Sequence, residues 1–227
     1  MKLLVCTSNH PRHTALLHAL TDAGHDVVAI IEPKSFSPGG DSPVLGRYWH
    51  RVQEAERAIF HGVLWSGPTL SLRPGELSTA WPVLGLLSGR RPIVFGTSYI
   101  RGAVCEAFLA AGALNLHAGI APEYRGSACN MWAEYDGHPE LIGAQVQRLS
   151  RGLDAGVVLS ETIAFRPKDY FLRSMRAVQL GIQAMVALLG TPEPWPVVLT
   201  EHRPSLRYSR HADFTEAVAD RLLRRTP

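Results

Sequence analysis

The sequence predicts an α/β fold in which a Rossmann-like, mostly parallel sheet carries helices on both faces. Short runs of consecutive apolar residues recur along the 227-residue chain, and such runs are typical of strands buried on both faces of a parallel sheet. Amphipathic segments of helical length separate these runs, so strands and helices alternate as in repeated β-α-β units. Hydrophobic residues make up 46% of the chain, which is enough for one sizeable core.

The N-terminal segment predicts a first β-α-β unit. The apolar run "KLLVC" at 2–6 is the first strand. A helix follows it, because Ser8 or Asn9 suits an N-cap and Pro11 suits a first helical turn. The run "HDVVAIIE" at 25–32 is the next strand, and we expect a right-handed crossover between the two strands.

The middle of the chain continues the alternation with weaker signals. Proline, glycine and serine make 33–46 a loop, and the apolar spacing in 47–62 predicts a helix. Prolines and glycines punctuate 63–92, for which we predict only one or two helical turns. The run "PIVFG" at 92–96 is a third buried strand, and 98–112 is a helix.

The second half of the chain is expected to complete the sheet. The run "ALNLH" at 113–117 predicts a fourth strand. An irregular loop containing Tyr-Arg-Gly follows it, and then a helix at 129–137. The segment 142–150 alternates like a half-buried strand, 151–156 is a turn, and 157–165 is another strand.

The C-terminal part is expected to be one long helix and an extension. Apolar spacing predicts the helix at 168–190, so we assign 1–190 to one domain and 191–227 to an extension that packs on it. The extension has a proline-rich stretch from Thr191 to Pro204 and a small amphipathic helix at 213–225. Packing of that stretch over the sheet and packing against a second subunit both stay open, so a homodimer is retained as an alternative.

Composition narrows the class of protein. The net charge is +3 and the basic residues are spread out, so nothing favours nucleic-acid binding. The three cysteines are far apart and form no C-x-x-C pair, which predicts reduced thiols rather than a zinc or redox motif. We find no signal peptide and no run of membrane-spanning length, and we therefore expect a cytoplasmic protein without membrane contact.

Two polar residues at the predicted end of the fourth strand suggest chemistry. Asn115 and His117 are two positions apart, so their side chains should lie on the same face of the strand. An amide can donate to an oxygen that becomes negatively charged, and an imidazole can donate and also move a proton. For an isolated pair the alternative is structural, with an amide that anchors a loop and a histidine that is satisfied in the core.

Three motifs in order extend this pair. They are Asn115-x-His117, then Pro122 with Tyr124-Arg125-Gly126, then Gly152-Leu153-Asp154-x-Gly156. This order resembles the formyltransferase family that uses 10-formyltetrahydrofolate, whose members act on glycinamide ribonucleotide, methionyl-tRNA or amino sugars of sugar nucleotides. The resemblance covers 92–165 well and the first β-α-β unit more loosely.

The resemblance implies the catalytic roles. Asn115 and His117 would stabilise the oxyanion that forms when an amine attacks the formyl carbon, and Asp154 would anchor the protonated histidine or relay a proton. The alternative for Asp154 is a turn aspartate. Where many family members have a further histidine, this chain has Gln147, which we interpret as a change of substrate or of proton relay.

The resemblance also implies binding residues for the formyl donor, 10-formyltetrahydrofolate, and for the amine. For Tyr99 and Ile100 core packing is an equal alternative. For the substrate residues near the first helix a capped helix with exposed polar groups is the alternative, and His10 with His13 lacks a third metal ligand, so no metal is expected. The donor residues are Phe95, Gly96, Thr97, Ser98, Tyr99, Ile100 and Leu153. The substrate residues are Asn9, His10, Arg12, Tyr124 and Arg125.

The acceptor is expected to be a primary amine of a small molecule, with an amino-sugar nucleotide as the candidate. In the family that the chain resembles, the members that act on methionyl-tRNA carry an added C-terminal barrel domain. Here the residues after the last predicted strand are mostly one long helix, which argues against tRNA as the acceptor. "TSNHPRH" lacks the glycines of the phosphate loop that glycinamide ribonucleotide formyltransferases usually have after the first strand. It also has no G-x-G-x-x-G motif, which argues against a plain dinucleotide-binding domain. A hydrolase of the formyl donor and a non-catalytic folate- or nucleotide-binding module remain as rivals.

Overall fold

The fold is described from a computed structural model, which describes residues 1–34, 42–62 and 64–225. A seven-stranded sheet forms the centre, with the strand order β3-β2-β1-β4-β5-β7-β8, and a separate two-stranded sheet pairs β6 with β9. The strands are β1 (Lys2–Thr7), β2 (Asp26–Ile31), β3 (Thr69–Ser71), β4 (Arg91–Val94), β5 (Leu114–His117), β6 (Tyr124–Gly126), β7 (Gly143–Arg148), β8 (Val158–Ile163) and β9 (Arg207–Ser209).

The predicted fold class is confirmed. Five neighbouring strands are mutually parallel, in the sheet order β3-β2-β1-β4-β5. Strand β7 runs antiparallel to both β5 and β8, so the sheet is mixed at this edge. Parallel pairing joins the carboxyl ends of β1, β4 and β5 along one edge of the sheet, where ligands of open α/β sheets bind.

Helices cover both faces of the sheet because successive side chains of a strand point in opposite directions. On one face, Leu3 and Val5 belong to the core that α1, α2 and α6 cover. On the other, Leu4 and Cys6 belong to a second core with α3 and α4. The helices are α1 (Pro11–Asp22), α2 (Pro43–Phe60), α3 (Trp81–Leu86), α4 (Gly102–Ala110), α5 (Cys129–Asp136), α6 (Tyr170–Leu189) and α7 (Glu216–Arg225).

Three local predictions were wrong. Helix α2 begins at Pro43, inside the predicted loop 33–46, because the Ser42 hydroxyl accepts from the Leu45 amide and caps it; residues 35–41 of that loop lie outside the described residues. Strand β3 occupies part of the segment predicted to hold only helical turns. The Tyr-Arg-Gly motif, predicted as irregular loop, is strand β6, because β9 supplies a pairing partner from 83 residues farther along the chain.

The residues after α6 lie against the sheet and the loops of the first part of the chain. Glu193 bridges Arg91 at 2.5 Å and Arg148 at 2.9 Å, and the Val198 amide donates to the Val158 carbonyl of β8. Helix α7 packs on α2. In the part of the chain that the structure describes, no helix combines the length and the apolar character needed to cross a membrane.

Candidate active site

Strand β5 places Asn115 and His117 at the sheet edge where the ligand crevice is expected. Pairing with β7 puts Gln147 opposite Asn115 and Gln145 opposite His117. In an antiparallel pair, opposite residues project to the same side of the sheet. The two predicted catalytic side chains are therefore neighbours of two glutamines, all near the carboxyl end of β5.

Asp154 joins both predicted catalytic residues of β5. Its Oδ1 lies 3.1 Å from Nδ2 of Asn115 and 3.1 Å from Nδ1 of His117, and its Oδ2 accepts from the Gly126 amide at 3.0 Å. The turn after β7 brings it there with a positive φ of 48°, a conformation that Asp adopts more readily than most residues. The structure thus brings Asn115, His117 and Asp154 together.

His117 has an acceptor at each ring nitrogen. Nδ1 faces the Asp154 carboxylate, and Nε2 lies 3.2 Å from the carbonyl oxygen of Tyr124. Neither partner can donate a hydrogen bond, so satisfying both contacts requires a proton on each nitrogen, which is the imidazolium. Burial alone would lower the pKa of His117, but the Asp154 carboxylate, together with Cys129, outweighs it and the pKa is raised well above its usual range.

The carboxylate of Asp154 is stabilised as an anion although its side chain is only 8% exposed. Burial raises its pKa, but the charge of His117 and hydrogen bonds from His117, Gly126 and Asn115 lower it, and the pKa ends below its ordinary value. Asn115 has two amide hydrogens, and the contact with Asp154 takes one of them. The other has no hydrogen-bond partner among the described residues, so it can donate to an oxygen in the site.

The loop between β5 and β6 passes very close to the imidazole. A Cβ atom at Gly119 would lie 2.7 Å from Nε2 of His117 and 2.4 Å from Cβ of Cys129, and both distances are too short for a side chain. The Cys129 thiol donates to the Gly126 carbonyl at 3.4 Å. The site therefore depends on main-chain atoms of this loop, which the motif spacing alone did not indicate.

The residues expected to bind the formyl donor follow β4. The Tyr99 side chain is 54% exposed, and its hydroxyl donates to the Arg151 carbonyl at 2.6 Å. This contact joins the segment after β4 to the turn that carries Leu153, so the two expected walls adjoin. Ile100 is buried in the core with α4. Gly96 has a φ of +69°, and a Cβ there would lie 2.5 Å from Nε2 of His13.

A buried carboxylate organises this donor segment. Glu32, at the end of β2, is 1% exposed. Its carboxylate accepts from the Ser98 amide and hydroxyl, and from the amides of Gly75 and Leu77, at 2.8–3.1 Å. Sequence reasoning missed Glu32, although a carboxylate that directly follows an apolar strand could have singled it out.

The predicted substrate residues near α1 are linked to other groups of the chain. The Asn9 side-chain oxygen accepts from the Lys34 amide at 2.9 Å. Arg12 pairs with Glu56, which is 2% exposed, at 2.8 Å. Burial first, and then the charges of Arg12 and Lys34, lower the pKa of His10 to about 4. His10 is therefore uncharged at neutral pH, next to these two cations.

The other two substrate residues lie on β6. The Tyr124 side chain is buried, and its hydroxyl donates to Asp136 at 3.3 Å, so its carbonyl is the group that faces His117. Nε of Arg125 is buried without a hydrogen-bond partner among the described residues. Within the same residues, no group of three or more His, Cys, Asp or Glu side chains is arranged to hold a metal ion.

The curated proteins that this chain resembles in sequence include formyltransferases. No family model matches the chain. It is 28% identical over 197 residues to a methionyl-tRNA formyltransferase of Anaeromyxobacter dehalogenans (strain 2CP-C), a match that covers 84% of this chain and 59% of that protein. The chain thus spans less than two thirds of that relative's length.

The solved structures share the fold. A sugar N-formyltransferase from Shewanella sp FDAARGOS_354 matches with a TM-score of 0.62 and 13% identity, over 99% of this chain and 87% of the other. A formyltransferase from Anoxybacillus kamchatkensis, in complex with UDP-4,6-dideoxy-4-formamido-L-AltNAc and tetrahydrofolate, matches with a TM-score of 0.50 and 16% identity, over 94% and 87%. The chain is thus similar in sequence to methionyl-tRNA formyltransferases and shares its fold with sugar N-formyltransferases.

Proposed function

We propose that this chain is an N-formyltransferase that moves the formyl group of 10-formyltetrahydrofolate to a primary amine of a small molecule. The observation that carries the proposal is the position of His117, which has the Asp154 carboxylate at one ring nitrogen and a carbonyl at the other, beside the Asn115 amide. This arrangement keeps a protonated imidazole and an amide donor side by side on the same face of one strand end. Such donors stabilise an oxyanion in acyl transfer.

The reaction forms one carbon–nitrogen bond and breaks another. The acceptor amine attacks the formyl carbon, the formyl oxygen becomes an oxyanion, and the bond to N10 of the folate then breaks. The proton lost by the amine ends on N10. Asn115 supplies its free amide hydrogen to the developing charge, and a full oxyanion is a stronger acceptor for the Nε2 proton of His117 than the neutral Tyr124 carbonyl.

Asp154 has two roles in this proposal. Its carboxylate keeps His117 protonated, and it fixes the orientation of both the imidazole and the Asn115 amide through one shared oxygen. Since Oδ2 accepts from the Gly126 amide, the carboxylate cannot rotate away without leaving a main-chain donor unpaired. A carboxylate beside the attacking amine is also suited to accept its proton through water.

The donor site is proposed at the carboxyl ends of β4 and β7. The segment 95–100 and the turn around Leu153 meet through the hydroxyl of Tyr99, and Glu32 fixes the main chain at Ser98. These two segments offer main-chain polar groups and apolar surface to a pteridine. When bound, the donor supplies the activated formyl group; the residues of the chain hold it next to His117.

For the acceptor we propose an amino-sugar nucleotide. Among the similar structures, the Shewanella enzyme is a sugar N-formyltransferase and the Anoxybacillus structure holds a UDP-linked formamido sugar, while the sequence relative is a methionyl-tRNA formyltransferase. Lys34 after β2 and Arg125 on β6 carry positive charge, and Nε of Arg125 has no hydrogen-bond partner among the described residues, whereas Arg12 is paired with Glu56. Positive charge is suited to the diphosphate of a nucleotide sugar.

The test follows release of tetrahydrofolate from 10-formyltetrahydrofolate with a panel of amino-sugar nucleotides, small amines and methionyl-tRNA. We expect release that depends on an amino-sugar nucleotide and is lost in His117→Ala. Release with methionyl-tRNA alone would contradict the proposed acceptor class. Release without any amine would identify a hydrolase, and donor binding without release, unchanged in His117→Ala, would identify a binding module.

A further inference from the structure

A buried glutamine next to the catalytic strand has all of its hydrogen-bonding capacity in use. Gln145 lies opposite His117 on β7 and is fully buried. Its Oε1 accepts from the Ala121 amide at 3.0 Å and from Nε2 of Gln147 at 2.8 Å. Its Nε2 donates to the Ala121 carbonyl at 2.9 Å and to Oε2 of Glu161 at 2.7 Å.

The two contacts with Ala121 resemble the pairing of a neighbouring strand. Ala121 is buried and lies in the loop between β5 and β6, so its amide and carbonyl would be unpaired without Gln145. Leaving such groups buried and unpaired costs roughly 1–3 kcal/mol each. The same loop leads directly to the Tyr124 carbonyl that faces His117 and to the Gly126 amide that faces Asp154.

The network continues from Gln145 to the C-terminal extension. Glu161 on β8 receives a bidentate contact from Arg203, at 2.6 Å and 3.1 Å. The segment after Arg203 then contacts the loop between β5 and β6. The amides of Leu206 and Arg207 both donate to the Glu123 carbonyl of that loop at 2.9 Å. The loop is therefore held on one side by Gln145 and on the other by the segment that becomes β9.

We propose that Gln145 is a positioning residue of the catalytic site, which holds the loop between β5 and β6 at Ala121 and thereby places the main-chain groups that hold His117 and Asp154. The inference rests on the proposed function and extends it. A side-chain amide is required at position 145. Its oxygen accepts from the Ala121 amide and from the Gln147 side chain, and its nitrogen donates to the Ala121 carbonyl and to the Glu161 carboxylate. A carboxylate at 145 would lack both donors, and a leucine would lack every partner.

The test compares Gln145→Leu with wild type in the formyl-transfer assay, below the melting temperature of both. A loop displaced by about 1 Å costs about 100-fold in rate, so we expect kcat to fall by about 10- to 100-fold, with the KM values of donor and acceptor changed by less than about 3-fold. Hydrogen exchange at the Ala121 and Gly126 amides should become faster. The matched control is Thr162→Val, which removes the hydroxyl contact with the Ala144 carbonyl, also between β7 and β8, and should leave all three readouts unchanged.

A second set of variants covers the case in which Gln145→Leu does not fold. Gln145→Glu keeps the size of the side chain but directs a carboxylate at Glu161, and it should lose kcat as Gln145→Leu does. Adding Glu161→Gln returns a donor to the pair and should recover part of the loss. A folded Gln145→Glu variant with wild-type kcat and unchanged exchange would overturn the proposal, as would equal losses in Thr162→Val.

Failure of the positioning role and failure of the proposed function give different results. If wild type transfers no formyl group to any acceptor, the proposed function fails. Hydrogen exchange at Ala121 and Gly126 then still decides about Gln145, because it reports the loop without any substrate. Faster exchange confined to this loop in Gln145→Glu would support the positioning role, and exchange identical to wild type would exclude it.

Discussion

The substitution Asp154→Asn tests how the carboxylate controls His117. It keeps the size of the side chain and its contact with the Gly126 amide but removes the charge that faces Nδ1 of His117 at 3.1 Å. His117 is only 6% exposed, and without the carboxylate its burial favours the neutral ring. We therefore expect the imidazolium to be lost near neutral pH.

The size of the effect follows from the contact itself. A hydrogen bond to a charged partner contributes about 1.5–3 kcal/mol. Its loss, together with the loss of the carboxylate charge, should lower the pKa of His117. Because the neutral ring is a poorer donor to the oxyanion and the Asn115 amide loses its carboxylate acceptor, kcat should fall by about 100- to 1,000-fold, as when an oxyanion-stabilising donor is removed.

Two measurements check this prediction. The ring protons of His117 are titrated by NMR in wild type and Asp154→Asn, and formyl transfer is measured at saturating donor and acceptor. The control is Asp220→Asn, which removes the carboxylate of an exposed pair with Arg224 and should change neither quantity. The reasoning would be refuted by an Asp154→Asn variant that keeps His117 protonated at neutral pH or retains kcat within about 3-fold of wild type.

Three further predictions concern the surroundings of this pair. Gly119→Ala should reduce kcat and lower the melting temperature, since its Cβ would collide with His117 and Cys129. Steady-state kinetics and thermal denaturation measure the two effects. A variant with the kcat and melting temperature of the wild type would contradict the close contact between this loop and the imidazole. Glu32→Gln should raise the KM for the formyl donor more than that for the acceptor, because Glu32 fixes the main chain at Ser98; equal changes in both would argue against this role. The raised pKa of His117 stabilises the fold fully below about pH 6.5, and this stability is lost as the pH rises through the folded pKa, at up to about 1.4 kcal/mol per pH unit. The lowered pKa of Asp154 stabilises the fold fully above about pH 4, and this stability is lost as the pH falls through the folded pKa. Urea denaturation across pH should show both slopes in wild type, and slopes unchanged in Asp154→Asn would contradict the coupling.

The sequence predicted the strands that carry the site because their apolar runs are continuous. The runs at 2–6 and 113–117 became β1 and β5 within one residue of their predicted bounds. Apolar runs are local signals, so a single sequence is enough to read them. That Asn115, His117 and Asp154 meet was implied by the resemblance to the formyltransferase family, and the structure brings them within hydrogen-bond distance.

The features that sequence reasoning missed depend on partners far away in the chain. Strand β6 needs β9, and no pattern within Tyr-Arg-Gly announces that pairing. Gln145 looks like an ordinary polar residue of an alternating strand, and only the fold shows that it faces Ala121. The antiparallel direction of β7 was equally invisible, since alternation gives the spacing of a strand and not its direction.

The most direct test of the central claim follows the formyl carbon itself. The donor is prepared with a ¹³C-labelled formyl group and incubated with an amino-sugar nucleotide and either wild-type protein or His117→Ala, and the products are resolved by NMR. We predict that wild type moves the label to an N-formyl group on the sugar amine and that His117→Ala does so at least about 100-fold more slowly. Label that appears as free formate, or that moves equally fast in His117→Ala, would contradict the account.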